Sequence, residues 1–140
     1  MDKDLIDRSQ AYVDRLIGEG AGLRHTAFLD RIQPETLREA LHRCHLMEDE
    51  DTHLSVEENY LVGVAVLCAT RCYAPASMFA KTLRHRGVPG TKILEVIGRL
   101  AMWIGPVPAA EAAGHIQRAL REYEDRGAAS MDAWFPGARP

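Results

Sequence analysis

The 140-residue sequence has only three cysteines, few aromatic residues and no long hydrophobic run. Three cysteines are too few, and odd in number, for the disulfide framework of a secreted domain. The longest apolar stretch, Tyr60 to Ala69, is about half of a membrane-spanning helix and contains a glycine. Met1 to Asp4 is charged and no apolar segment follows, which predicts no signal peptide. We therefore expect a cytoplasmic protein without a membrane partner.

Basic residues are also in slight deficit. Seventeen Lys and Arg against 20 Asp and Glu give a formal charge of -3. A chain with this balance has no basic surface of the kind that attracts phosphates, so we expect no nucleic-acid partner. Its 46% content of hydrophobic residues is enough for one sizeable core. The length and composition predict a single domain over residues 1–140.

Helical periodicity runs along almost the whole chain, and no segment shows the alternation of a strand. Residues 1–20 predict an amphipathic helix with a thin apolar stripe, which is typical of an arm that packs on a neighbouring subunit. Pro34 favours the start of a helix that runs to about Met47. The acidic run at 48–51 is most simply a solvated loop. Residues 127–140 have no period and form a tail.

Capping and breaking signals organise the second half of the chain. Ser55 and Glu58 have the spacing of a capping box, which predicts a helix that is apolar nearly all round and continues to about residue 73. Pro75 ends that helix and begins the next, because proline disfavours a helical conformation in the residue before it. Two further helices are predicted before residue 125. The predicted fold class is all-α.

Three segments carry a family resemblance: EENYLVGVAVL at 57–67, FAKTLRHRGV at 79–88 and ILEVIGRLAMWIGPVPAAEAA at 93–113. Together they resemble the carboxymuconolactone decarboxylase family, whose superfamily includes the alkylhydroperoxidase-D-like thiol peroxidases. The resemblance implies an alkylhydroperoxidase-D-like helical bundle that assembles into homo-oligomers, trimers or hexamers. It also implies a small-molecule substrate, an active site between core helices and no cofactor.

The cysteines depart from the pattern of the peroxidase members. Those members have a glutamate, a Cys-x-x-Cys pair and a histidine four residues later, whereas Cys68 and Cys72 are one residue further apart and Met78 falls where the histidine is expected. On one helix their Cα atoms would be roughly 6 Å apart, with side chains that point along the axis rather than at each other. Structural cysteines, a catalytic Cys72 and a reversible Cys68–Cys72 disulfide all stay open.

Other residues near this helix could carry acid–base chemistry. Glu57 or Glu58 falls near the family glutamate, and Glu57 is the better candidate because Glu58 is the capping partner. Arg71 could hold substrate oxygens, or it could pair with an acidic neighbour. Tyr73 could donate a proton, although a tyrosine in this position is more often a packing residue. The candidate catalytic residues are therefore Cys72, Glu57, Arg71, Tyr73 and Cys68.

A metal site is the remaining motif to consider. His42 and His45 can share a helix face, and acidic residues and His53 follow them. No second pair of ligands has the spacing of a zinc site, so we interpret these histidines as a solvated helix end and expect no metal.

Three functional hypotheses follow. The first is a cofactor-free enzyme, similar to carboxymuconolactone decarboxylases, that decarboxylates or isomerises a small unsaturated or lactone-type acid. The second is a thiol-dependent peroxidase or disulfide reductase that uses Cys68 and Cys72. The third is a non-catalytic oligomeric protein of the same fold.

Overall fold

A computed structural model describes residues 1–50 and 53–137. Within these ranges the fold has no β-strand, so the predicted all-α class is confirmed. No described helix is both long and apolar enough to cross a lipid bilayer. The elements in chain order are α1 (Lys3–Ile17), α2 (Ala21–Leu29), α3 (Glu35–Glu50), α4 (Val56–Ala69), α5 (Tyr73–His85), α6 (Gly90–Ile104), α7 (Pro106–Arg126) and a 3-10 helix (Gly127–Met131).

The predicted capping box begins α4. The Glu58 amide donates to the Ser55 hydroxyl at 3.1 Å, and the Ser55 amide donates to the Glu58 carboxylate at 2.8 Å. The helix ends at Ala69, earlier than the predicted residue 73, because Arg71 has a left-handed backbone with φ 60°. Cys72 consequently lies at the N-terminal cap of α5 rather than on α4.

Helix α5 runs through the middle of the molecule and contacts α4 and α7 along much of its length. Its inward residues include Ala76 and Ala80, whose small side chains allow the neighbouring helices to come close. The core around them is aliphatic and almost fully buried, with contributions from Val64, Leu83, Ile93, Ile97, Ala112 and Ile116. The 3-10 helix packs against α5 and α7 and adds the buried Met131.

Helix α1 packs within its own chain rather than extending from it as an arm. It lies against α2 and α3 and buries Tyr12, Val13, Leu16 and Ile17 in the core. The buried face of α1 also contains Ser9. This face is therefore wider than the apolar stripe that is seen when only aliphatic residues are counted.

The acidic run is not a loop over residues 48–50, because α3 continues to Glu50. The carboxylates of Asp49 and Glu50 form ion pairs with Arg15 and Arg8 of α1. These ion pairs connect the last turn of α3 to α1. Asp51, the last residue of the run, lies outside the described residues, as do the last three residues of the predicted tail.

Candidate functional site

A cavity of about 400 Å³ lies between the N-terminal helices α2 and α3, the helices α4 and α5, and the segment that follows the 3-10 helix. We call it the His45 cavity. Its volume is within the range of small-molecule sites. Most of its wall is apolar, formed by Phe28, Leu29, Ile32, Leu41, Leu67, Pro75, Met78, Phe79, Trp134 and Phe135.

The polar groups of the cavity wall come chiefly from α2 and α3. His25 is on α2, whereas His45 and Glu48 are one turn apart on α3, and Tyr60 of α4 lies beside Glu48. The His25 and His45 rings have centroids 5.2 Å apart. A few convergent polar groups in an apolar cavity are the usual composition of a binding or catalytic site.

The tautomer of His25 follows from its hydrogen bond. Its Nδ1 lies 2.7 Å from the carbonyl oxygen of Trp134, and a carbonyl oxygen can only accept. Nδ1 therefore carries the proton, and in the neutral ring Nε2 is an acceptor. The ring lies 4.8 Å from that of Phe135 and 5.9 Å from that of Phe28. These contacts hold Nε2 in a fixed orientation.

Ser9 of α1 forms hydrogen bonds with two histidines of α3. Its hydroxyl oxygen is 2.7 Å from Nδ1 of His45 and 2.8 Å from Nδ1 of His42. A hydroxyl has one proton to donate, so it donates to one ring and accepts from the other. The two histidines therefore hold opposite tautomers, and Nε2 is the nitrogen that His45 has left for a bound molecule.

Glu48 is a half-buried carboxyl group that two tyrosines contact. The Tyr12 hydroxyl donates to it at 2.7 Å, and the Tyr60 hydroxyl lies close to both. Burial raises the pKa of Glu48, although hydrogen bonds from the two tyrosines partly oppose the shift. Relative to an exposed glutamate, the carboxyl group of Glu48 is thus shifted toward its acid form.

Burial has the opposite effect on the imidazoles. It lowers the pKa of His45 to about 3, and the nearby His25 and His42 add to this shift. Burial also lowers the pKa of His25. The site therefore combines neutral bases with a carboxyl group biased toward its acid form. Titratable groups with strongly perturbed pKa values in a cavity are typical of functional sites.

The five residues predicted from the sequence do not form one site. Glu57 and Cys68 are eleven positions apart on α4, which at 1.5 Å per residue separates them by about 16 Å along the axis. None of the five is among the sixteen described residues that line the His45 cavity.

Glu57 is engaged in an ion pair. The Nε of Arg86 donates to its carboxylate at 2.8 Å, and the same guanidinium donates to the carbonyl oxygens of Arg15 and Leu16. A hydrogen bond from the Glu57 backbone amide and the charge of Arg86 lower the pKa of Glu57. This arrangement joins α4 and α5 to the end of α1, which is a structural role.

The other four candidates cluster at the turn between α4 and α5. Cys68 is buried, and burial raises the pKa of its thiol to about 11, which disfavours the nucleophilic thiolate. Arg71 and Cys72 are exposed. The Tyr73 ring stacks on His115 with centroids 4.1 Å apart, and burial together with Glu111 raises the pKa of its hydroxyl.

Sequence reasoning missed Glu48 and assigned His42 and His45 to a solvated helix end. In the fold His42 is fully buried, and burial lowers its pKa. A signal was present, because His42, His45 and Glu48 recur every three residues on one helix face. Met78, at the position where the resemblance expects a histidine, lines the cavity.

Across residues 1–50 and 53–137, no three His, Cys, Asp or Glu side chains are arranged to hold a metal ion. In comparisons with known proteins, the chain matches no family model, no curated sequence and no solved structure. Its function must therefore be inferred from the geometry of the site.

Proposed function

We propose that this chain is a cofactor-free enzyme of the carboxymuconolactone decarboxylase type, acting by acid–base chemistry on a small unsaturated or lactone-type substrate in the His45 cavity. The observation that carries the proposal is the joint presence of neutral imidazole nitrogens and a half-buried carboxyl group on the wall of one apolar cavity. The resemblance of residues 57–113 to that family supports it.

In the proposed isomerisation, Nε2 of His25, which carries a lone pair because Nδ1 holds the proton, takes a proton from a carbon next to a carbonyl group. The electron pair of the broken C–H bond moves into the carbonyl, and the carboxylic acid of Glu48 donates a hydrogen bond to the developing enolate oxygen. The imidazolium then returns the proton to another carbon of the conjugated system. In decarboxylation, a C–C bond breaks instead, carbon dioxide leaves, and the acid protonates the carbanion.

The test is proton exchange in heavy water. The protein is incubated with a panel of unsaturated ketones, lactones and unsaturated acids. We expect deuterium incorporation or carbon dioxide release, and NMR measures both. Glu48→Gln removes the acidic proton but keeps the shape of the side chain, and we expect it to lower the rate about 100-fold.

Glu95→Gln, on the exposed face of α6, is the matched control and should keep the wild-type rate. A loss of rate in Glu57→Gln, with Glu48→Gln active, would favour the site predicted from the sequence. If folded protein exchanges no proton with any member of the panel, the chain is better explained as a non-catalytic protein of this fold.

We also propose that the chain forms homo-oligomers, as the resemblance implies. Three large apolar side chains at the junction of α6 and α7 are strongly exposed: Met102 at 77%, Trp103 at 81% and Val107 at 77%. An exposed apolar cluster of this kind is typical of an interaction surface. In a homo-oligomer, a second copy of the same chain would cover this apolar cluster.

Trp103→Glu is therefore expected to shift the protein to monomer, because a buried, unpaired carboxylate would oppose association. Sedimentation velocity measures the change. Leu23→Glu is the control, since Leu23 is an exposed leucine, at 67%, on the distant helix α2. A wild-type chain that is monomeric at high concentration would contradict the proposal.

A further inference from the structure

The charge of the His45 cavity limits what it can bind. The titratable side chains of its wall are those of His25, His45, Glu48, Tyr60 and Cys44. Its sixteen described lining residues include no lysine or arginine. A bound carboxylate would lose its hydration without gaining a cationic partner. It would also face Glu48, which is either neutral or negative, and the lone pair of the His25 Nε2.

Two guanidinium groups whose charge reaches the polar side chains around the cavity are engaged elsewhere, and Arg24 donates to the carbonyl oxygen of Pro136. Arg86 acts on Tyr12 from a distance but is paired with Glu57 and with two main-chain carbonyls. Arg38 acts on His42 and donates to the carbonyl oxygen of Asp30 at 3.1 Å. Neither lines the cavity. Moving either group would break contacts that hold the fold together.

The shape and chemistry of the wall suit an apolar ring system. Phe28, Phe79, Trp134 and Phe135 supply aromatic surface, and aromatic rings gain from stacked and edge-to-face contacts beyond simple burial. A volume of about 400 Å³ is near the lower end for ligand sites, which sets the size at one or two rings.

We propose that the His45 cavity binds an uncharged one- or two-ring molecule whose carbonyl or hydroxyl oxygen contacts His25, His45 or Glu48, and that it rejects the corresponding carboxylate. This proposal rests on the proposed function for the choice of site. It narrows that function to proton transfer within a neutral ketone, lactone or phenol, because decarboxylation needs a bound carboxylate.

The experiment compares two probes with the same ring system: 2-acetylnaphthalene, which is neutral, and 2-naphthoate. Binding to the wild-type chain is followed by NMR shifts of the His25, His45 and Phe79 resonances. We expect the ketone to bind at least about tenfold more tightly than the carboxylate, which corresponds to 1.4 kcal/mol.

Cavity-filling variants locate the binding. Met78→Trp fills the apolar part of the cavity and should abolish ketone binding. If this variant fails to fold, Leu41→Trp fills the cavity from a less buried position and should have the same effect. Leu23→Trp, on an exposed position of α2 outside the cavity wall, is the matched control and should bind as the wild type does.

Equal or tighter binding of 2-naphthoate would overturn the proposal, and so would ketone binding that survives both cavity-filling variants. Failure of the wild-type chain to bind the ketone at about 1 mM would overturn it as well. Because no turnover is measured, a chain that binds the ketone but exchanges no proton would contradict the proposed function and leave this proposal supported.

Discussion

Gly22→Ala is expected to lower the free energy of unfolding by about 3 kcal/mol or more, because it forces the backbones of two helices apart. A Cβ atom on Gly22 of α2 would lie 2.2 Å from the carbonyl oxygen of Gln10 and 2.7 Å from its Cα. Both are main-chain atoms of α1, so no change of rotamer relieves the overlap. The amide of Gly22 also donates to the Asp14 carboxylate at 2.8 Å, and this hydrogen bond would be strained too.

Chemical denaturation measures the loss, and Gly98→Ala is the matched control. Gly98 lies within α6, and a Cβ there would meet nothing within 4 Å. That variant should gain about 0.5–1 kcal/mol, since alanine loses less conformational entropy than glycine on entering a helix. Equal stability of the two variants would show that α1 and α2 do not approach as closely as the structure has them.

The second large effect is a loss of stability in acid caused by His45. Unfolded, His45 binds a proton near its ordinary pKa of 6.5, whereas in the fold its pKa is about 3. Between these values the unfolded chain binds more protons, so stability falls as the pH falls, by about 1.4 kcal/mol per pH unit. By pH 4 the loss from this one group approaches about 3 kcal/mol. His25 and His42, whose pKa values are also lowered, act in the same direction.

Urea denaturation from pH 7 to pH 4 tests this, with His45→Gln as the variant. We expect His45→Gln to lose less stability over that range than the wild type. Glu48→Gln should instead lose more stability than the wild type as the pH falls from 7 to 4. The pKa of Glu48 is raised, so protonation of the folded carboxyl group adds stability as the pH falls, and its removal makes the acid loss steeper. Parallel curves for all three proteins would mean that these groups are solvated.

Much of the helical framework could be predicted from local chemistry. The capping box of Ser55 and Glu58 depends on residues within one turn of each other, and it occurs in the fold. A break does separate α4 from α5, but the predicted reason for it is wrong, because α5 begins at Tyr73 and Ala74, the residue before Pro75, is helical. The early end of α4 could not be read in this way. It depends on the left-handed conformation of Arg71, a residue type with no special preference for positive φ.

The site was harder to predict because its polar residues depend on partners distant in sequence. The acidic run around Glu48 has the composition of a loop, but the Tyr12 hydroxyl and the α1 arginines give those carboxylates partners 34 to 42 residues away. Likewise, the partner of His25 is the carbonyl of Trp134, 109 residues later. Composition and periodicity contain no information about such pairs.

The contact between His25 and Trp134 has a consequence for synthesis of the chain. Helices α2 and α3 leave the ribosome well before Trp134 and Phe135, which complete the cavity wall. Until then a nascent chain holds the polar residues of the site without the aromatic surface that shields them from water. The cavity therefore cannot close before residues 134 and 135 have been made, and a chain shortened before Trp134 would leave His25 and its neighbours open to solvent.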